Sequence, residues 1–417
     1  MTETKASDGT RQGDVLIIGG GIHGLSTAFH LAQRGVKVTV LEADYCGRHA
    51  SGVNAGGVRT LGRHAAEIPL ALSSRALWHE LRHTLGDDGG FVPSGQLKLA
   101  ENQAELEECR QRVEQLKALG FEHEILIDQQ AVFDIIPTVA RHVVGGIWVK
   151  DDGYAVPFKT VTAFRLAAQK LGVRVHEGTA AQRIEQRGSL WKVTTPGAVF
   201  SAEHLVITAG AWARELAAQV GEAVPAHPEG LMLMVTHRVA PFCAPVLGAT
   251  GRSLSFKQFA NGTVVIGGKL IGSLDFPARH GEVDMTRLGT SARTVTDLFP
   301  HLKHLGVNRV WAGVEAFTAD DLPVIGASRK ASNLSYSFGF CGSGFQMGPG
   351  TGKRLAQQIL GEHSDISLDA FAVDRFDTAT PTTSASDAGR RTSYGSALAR
   401  ESGVPGNADA PNVPASS

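Results

Sequence analysis

The chain has 417 residues, more than one hydrophobic core usually holds, so two domains are expected. Its 40 Lys and Arg against 41 Asp and Glu leave a formal net charge of −1, without the basic block that tracks a phosphate backbone, which sets nucleic acid aside as a partner. The polar opening MTETKASDGTRQ lacks the apolar centre of a secretory signal, and no apolar run reaches the length of a membrane span, so a soluble, cytoplasmic protein is expected.

DVLII, ending at Ile18, predicts a strand, LSTAFHLAQRG a helix stopped by Gly35, and VKVTVLEA a second strand. Between the first two, Gly19, Gly21 and Gly24 have GxGxxG spacing, and Glu42 ends the second strand. The glycines permit a tight turn and bring backbone N–H groups to a pyrophosphate at the helix N-terminus, while Glu42 accepts from ribose hydroxyls. The spacing selects an ADP moiety and leaves FAD and NAD both open. A second small-residue loop, Asn54, Ala55, Gly56 and Gly57, follows in RHASGVNAGGV, and a plain NAD dehydrogenase does not need it.

Helical spacing rich in charge recurs from about Ala65 to Leu85 and from Glu101 to Leu119, with SGQLKLA as a strand between them. PFKTVTAFRLAAQKLG predicts an amphipathic helix, and the stretch from VRVHEG to HLVITAG a meander closing on Ala209 and Gly210. From about Ala223 to Gly272, LMLMVTHRV and SLSFKQFANGTVVIGGKL predict antiparallel strands, with Asn261-Gly262 as a hairpin turn. A helix ending near Phe299 precedes NRVWAGVEAFTADDLPVIGAS and LSYSFGF. These lead into a second glycine-rich stretch, GFCGSGFQMGPGTGK, read as a turn, and a final helix, TGKRLAQQILG. At 377–417 the residues are mostly Ala, Ser, Thr, Gly and Pro, so a disordered tail is expected. The four cysteines, Cys46, Cys109, Cys243 and Cys341, have no metal-ligand spacing; three read as small buried residues, and Cys341 in its glycine turn is left open.

Together DVLIIGGGIHGLSTAFHLAQRGVKVTVLEA, ASGVNAGGVR, VITAGAWA, DLPVIG and SFGFCGSGFQMGPGTGKRLAQQI resemble the D-amino acid oxidase superfamily of FAD enzymes, especially the branch of glycine oxidase, sarcosine oxidase and its β-subunit relatives. The resemblance implies an α/β fold with a discontinuous Rossmann-like FAD-binding domain at 13–85, 145–222 and 300–372. A mixed, mainly antiparallel β-sheet at 86–144 and 223–299 would form the substrate domain. It further implies FAD, expected to be held noncovalently because this chain has Glu315 where the sarcosine oxidase monomer has its flavin-linking Cys. Gly19, Gly21, Gly24 and Glu42 would hold the ADP half, with Ser51, Asn54, Gly56 and Gly57 along the phosphates and flavin. Ala209 and Gly210 would close over the nucleotide, and Gly342, Gly344, Phe345, Gln346 and Met347 would lie beside the isoalloxazine ring.

The chain departs from that family at two places. Sarcosine-type oxidases often have Lys where this chain has Gln346, and without that charge a dehydrogenase is slightly favoured over an oxidase. Glycine-oxidase-like members resemble WAGLRP where this chain has WAGVEA, so the carboxylate-clamping Arg is replaced by Glu315, which could instead meet a substrate ammonium or pair with a basic residue. Carboxylate recognition would then fall to Lys257, Lys269 or Arg59, with Lys269 preferred; His49 is read as an ordinary polar contact. Gln346, Lys269 and Glu315 are the catalytic candidates. The expected reaction is FAD-dependent oxidation of the C–N bond of a small amino acid or secondary amine of the sarcosine, glycine or imino-acid class. Hydride leaves the carbon next to nitrogen, and water hydrolyses the resulting imine. Oxygen or a partner electron-acceptor subunit would take the electrons. The alternatives are a non-enzymatic flavoprotein assembly factor on the same fold and, less favoured, a nicotinamide dehydrogenase.

Overall fold

The computed structural model describes residues 11–377. Apart from Asp377, the tail expected at 377–417 lies outside the described residues. Strand β1 (Arg11–Ile18), helix α1 (Ile22–Ala32) and strand β2 (Val38–Leu41) form the expected opening unit. Val15 to Ile18 and Val38 to Leu41 are buried throughout, the pattern of strands covered on both faces, and they pair in parallel with Val15 opposite Val38. Ala198–Ile207 flanks β1 on its other side, Leu334–Phe338 follows it, and Arg174–His176 flanks β2, all in parallel. The edge strand Val324–Ala327 and the meander Arg183–Arg187 and Leu190–Thr195 complete an eight-stranded sheet through antiparallel pairs.

One face of this sheet packs on α1 and the helix Pro157–Lys170 through Ile17, Leu25, Phe29, Val40 and Phe164. The other packs on the meander through Leu16, Ile18, Trp191, Val193 and Tyr336. A ten-stranded sheet, antiparallel except where Val246–Ala249 runs beside Gln96–Ala100, carries its own core around Phe256, Val295, Leu298 and Phe299. Two strands depart from the expected division of the chain. Gly145–Val149 and Val307–Thr318, placed by sequence with the nucleotide-binding stretches, are strands of the ten-stranded sheet. The long strand pairs along its whole length with Ala226–Thr236, and it is that pairing, invisible in local sequence, that decides its membership.

Two further helices frame the site: the one-turn α2 (Ala50–Val53) and α3 (Ile68–His79). The second glycine-rich stretch is itself a correction, because it is helical from Gly344 to Ile359, with Pro349 inside. Its glycines serve close packing. A Cβ on Gly348 would lie 2.7 Å from Ile22 Cγ1, one on Gly352 2.2 Å from Ser26 Oγ, and one on Gly350 2.7 Å from Ser74 Cβ. The helix is thereby wedged between α1 and α3. Pro349 brings no N–H of its own, and the neighbouring bonds are rearranged onto α3. Ser74 Oγ donates to Gln346 O at 2.7 Å and accepts from Gly350 N–H at 3.0 Å, and Trp78 Nε1 donates to the same carbonyl at 2.7 Å.

Candidate active site

The parallel strands deliver their carboxyl ends to one edge of the sheet. Gly19 follows β1, Glu42 follows β2, Thr208 to Gly210 follow Ala198–Ile207, and Gly339 to Gly342 follow Leu334–Phe338. Two glycine stretches more than 300 residues apart in sequence therefore meet, as ligand-binding crevices of doubly wound sheets do. Their contact is direct: His23 stacks on Phe340 at 3.9 Å between ring centres. Burial lowers the His23 pKa to about 3, so it is a neutral spacer.

In the N-terminal turn, Gly19 has φ +114°, and a Cβ there would lie 2.5 Å from Thr208 O; one on Gly24 would lie 2.0 Å from Gly19 O. Gly21 starts α1 without a side-chain cap, and Ser51 Oγ accepts the Ile22 N–H at 3.0 Å. Glu42 accepts from Gly20 N–H at 2.7 Å and Asp44 N–H at 2.9 Å; burial raises its pKa while these two bonds oppose the rise. Asn54 has a supporting role. Its amide donates to Ala50 O and Ser51 O and accepts from Gly56 N–H at 2.6 Å, holding the loop that carries Gly57. A Cβ on Gly57 or on Gly210 would meet no protein atom within 4 Å. A helix N-terminus with glycine at its cap position, an acid at the end of the second strand and open backbone at these two glycines fit the pyrophosphate, ribose and ring system of FAD. His49 lies 3.4 Å from Asp44 and 4.5 Å from the Trp212 ring, an ordinary polar contact.

The second turn joins the two sheets. Cys341 N–H donates to Ala316 O at 3.3 Å and Gly342 N–H to Glu315 Oε1 at 2.7 Å, both on the strand Val307–Thr318. The same strand reaches the flavin loop, where Trp311 Nε1 donates to Val53 O at 2.8 Å. Glu315 is thus placed to hold the turn; burial raises its pKa, and Lys269 and Arg63 lie close enough to lower it in part. Cys341, left open by sequence, adopts φ +51° with its Sγ between Thr318 N–H and Gly339 O, and burial pushes its pKa up to about 11. It is a structural thiol.

Gln346, expected beside the isoalloxazine ring, is buried with its amide hydrogen-bonded within the protein. Its Nε2 donates to Ala71 O at 2.8 Å and its Oε1 accepts from Arg63 Nη2 at 3.4 Å, so the amide is committed to α3 and to Arg63. Phe345 packs on Trp78 at 5.2 Å and Met347 is fully buried, so both support the helix. The reason is helical period: in the first turn of a helix wedged between α1 and α3, these three residues point at different neighbours.

Arg63, which sequence analysis missed, is 2% exposed. Nε donates to Arg59 O at 3.1 Å, Nη2 to Ser343 O at 3.2 Å and to Gln346, and Nη1 has no hydrogen-bond partner among the described residues. Buried carboxylates pin its loop. Asp152 accepts from Thr60 N–H and Leu61 N–H at 2.7 and 3.0 Å, and Glu124 from Gly62 N–H at 2.8 Å and from Arg112. Burial, then Arg59, lower the Arg63 pKa to about 9. No local pattern marks such a residue. A basic side chain in an irregular loop reads as solvated until the fold buries it.

Lys269 lies just past the strand Val264–Gly267, with φ +58°, and its Cε is 2.9 Å from where a Cβ on Gly342 would stand. Its amine is held below its ordinary value by the protein around it and by Arg59. Lys257 is 1% exposed on the strand Ser255–Gln258, and burial followed by Arg59 lower its pKa to about 7. Arg59 therefore sits within charge range of Arg63, Lys257 and Lys269, and its Nη1 donates to Leu61 O at 3.2 Å.

Comparison with known proteins gives the family and the fold. Glycine oxidase of Bacillus licheniformis is 27% identical over 378 residues, spanning 87% of this chain and 97% of that one. The crystal structure of glycine oxidase from Geobacillus kaustophilus covers 88% of this chain and 99% of its own with a TM-score of 0.80 at 25% identity. That of L-proline dehydrogenase from P. horikoshii covers 88% and 98% with 0.81 at 25%. Residues 14–358 match the family described as DAO, FAD dependent oxidoreductase, and a match of that extent makes this chain a member of it.

Proposed function

We propose that this chain oxidises the C–N bond of a small amino acid or secondary amine to an imine that water hydrolyses, and that Arg63 holds the substrate carboxylate. The observation that carries this reading is the buried guanidinium of Arg63, tied through Nε and Nη2 and unpartnered among the described residues at Nη1. A charge-assisted bond to Nη1 would fix the carboxylate beside the Gly342 turn. This takes the place of the clamp lost at Glu315. FAD, when bound, supplies the two-electron acceptor for the hydride. Lys269 and the N-terminus of the helix Gly344–Ile359 place positive charge at the turn where negative charge would develop. The same charge favours oxygen as the final acceptor, so the neutral amide of Gln346 is no ground for preferring a dehydrogenase.

Anaerobic titration of the flavin-loaded protein with primary and N-substituted amino acids tests the reaction, with bleaching of the flavin band expected. Absence of bleaching across the whole panel would sink the reading. Reoxidation of the reduced protein by air against a dye acceptor then tests the acceptor. Lys269→Met is expected to slow the oxygen step about tenfold more than the dye step.

A further inference from the structure

Two buried cations in this region each carry a nitrogen without a hydrogen-bond partner among the described residues, Arg63 Nη1 and Lys257 Nζ. They come from different elements, a loop after the flavin-binding segment and a strand of the ten-stranded sheet, yet Arg59 lies within charge range of both. Lys257 is linked to the flavin loop by a chain of neighbours. Its Nζ is 6.0 Å from the centre of the Phe259 ring, Phe259 meets Tyr154 edge-on at 5.1 Å, and Tyr154 pairs with Gly57.

Two of the acids near Arg63 are engaged, while the buried Glu67 keeps Oε1 without a hydrogen-bond partner among the described residues. Glu315 Oε1 accepts from Gly342 N–H, and Asp152 accepts from Thr60 and Leu61 and pairs with Arg75. Charging the Lys257 amine without a counter-charge costs several kcal/mol, and a substrate carboxylate on Arg63 leaves Lys257 Nζ without one. We propose that the substrate carries a second carboxylate, received by Lys257 Nζ while Arg63 holds the first, so that the preferred substrates are dicarboxylic amino or imino acids. The proposal rests on the reading that Arg63 binds the substrate carboxylate. Because burial holds the free Lys257 amine near a pKa of about 7, an arriving carboxylate would draw a proton onto it, and affinity for diacids would fall as pH rises above about 7.

Carboxylates with no C–N bond to oxidise separate binding from turnover. The flavin-loaded protein is titrated with succinate against butyrate and with glutarate against pentanoate, read by the flavin difference spectrum and by the rise in Tm. Diacids should bind at least about tenfold more tightly than the matching monoacids, a ratio that Lys257→Met brings to about one along with the loss of the pH dependence. Monoacids binding as tightly as diacids, or a ratio unchanged in Lys257→Met, overturns the second-carboxylate proposal and leaves the Arg63 reading standing. Failure of both kinds of acid to bind overturns both.

Discussion

Arg63 and Gln346 form one unit, because the guanidinium that leaves Nη1 unpartnered also donates Nη2 to the Gln346 amide. Arg63→Met is therefore expected to lower kcat/KM for amino-acid oxidation about 10²- to 10³-fold, mainly through KM, as loss of a buried charge-assisted bond does. Gln346→Lys would place an ammonium against Arg63 and remove the amide oxygen that accepts from it. It should cost about 2–4 kcal/mol of stability rather than speed the reaction with oxygen, which thermal unfolding and air reoxidation would show. At Glu315, Gln keeps an acceptor for the Gly342 N–H and should retain FAD, whereas Leu should not; flavin absorbance of the purified variants distinguishes them. Lys257 has a folded pKa of about 7 against 10.5 when unfolded, so the folded chain binds that proton less tightly. Its stability penalty grows as pH falls from 10.5 towards about 7 and is complete below that. Lys257→Met should stabilise the substrate-free protein by about 1–4 kcal/mol, with a larger rise in Tm at about pH 6 than at about pH 9.

Among the elements, the helix Gly344–Ile359 departs most from what its composition suggests. Four glycines and a proline within nine residues read locally as a turn. In the fold, three of those glycines let the helix approach Ile22, Ser26 and Ser74, and Ser74 and Trp78 meet the Gln346 carbonyl. Tertiary contact overrides propensity here, which a single-residue change can expose. Gly352→Val puts branched carbon where Ser26 stands, and should lower stability by about 1–3 kcal/mol or more and weaken FAD retention through displacement of α1. By contrast β1, α1 and β2 form where the sequence places them, because β-branched runs, a GxGxxG turn and an amphipathic period all favour the same local structure.

Across the whole molecule, the strand Val307–Thr318 links the ten-stranded sheet to the Gly342 turn and the flavin loop. FAD bound at the edge of the parallel sheet would then stabilise segments of both sheets. Excess FAD at about a hundred times its Kd should stabilise the apoprotein by about 2.7 kcal/mol, seen as a concentration-dependent Tm. The FAD-binding opening, the family resemblance and the order of most elements are legible in the chain, because these depend on local period, turn chemistry and fixed spacing. Long-range packing turns Gln346 onto α3, gives Glu315 a backbone N–H to hold, and buries Arg63 and Lys257 away from water. Those outcomes depend on which distant strands pair and which charges the pairing buries, and no local pattern in the chain encodes them.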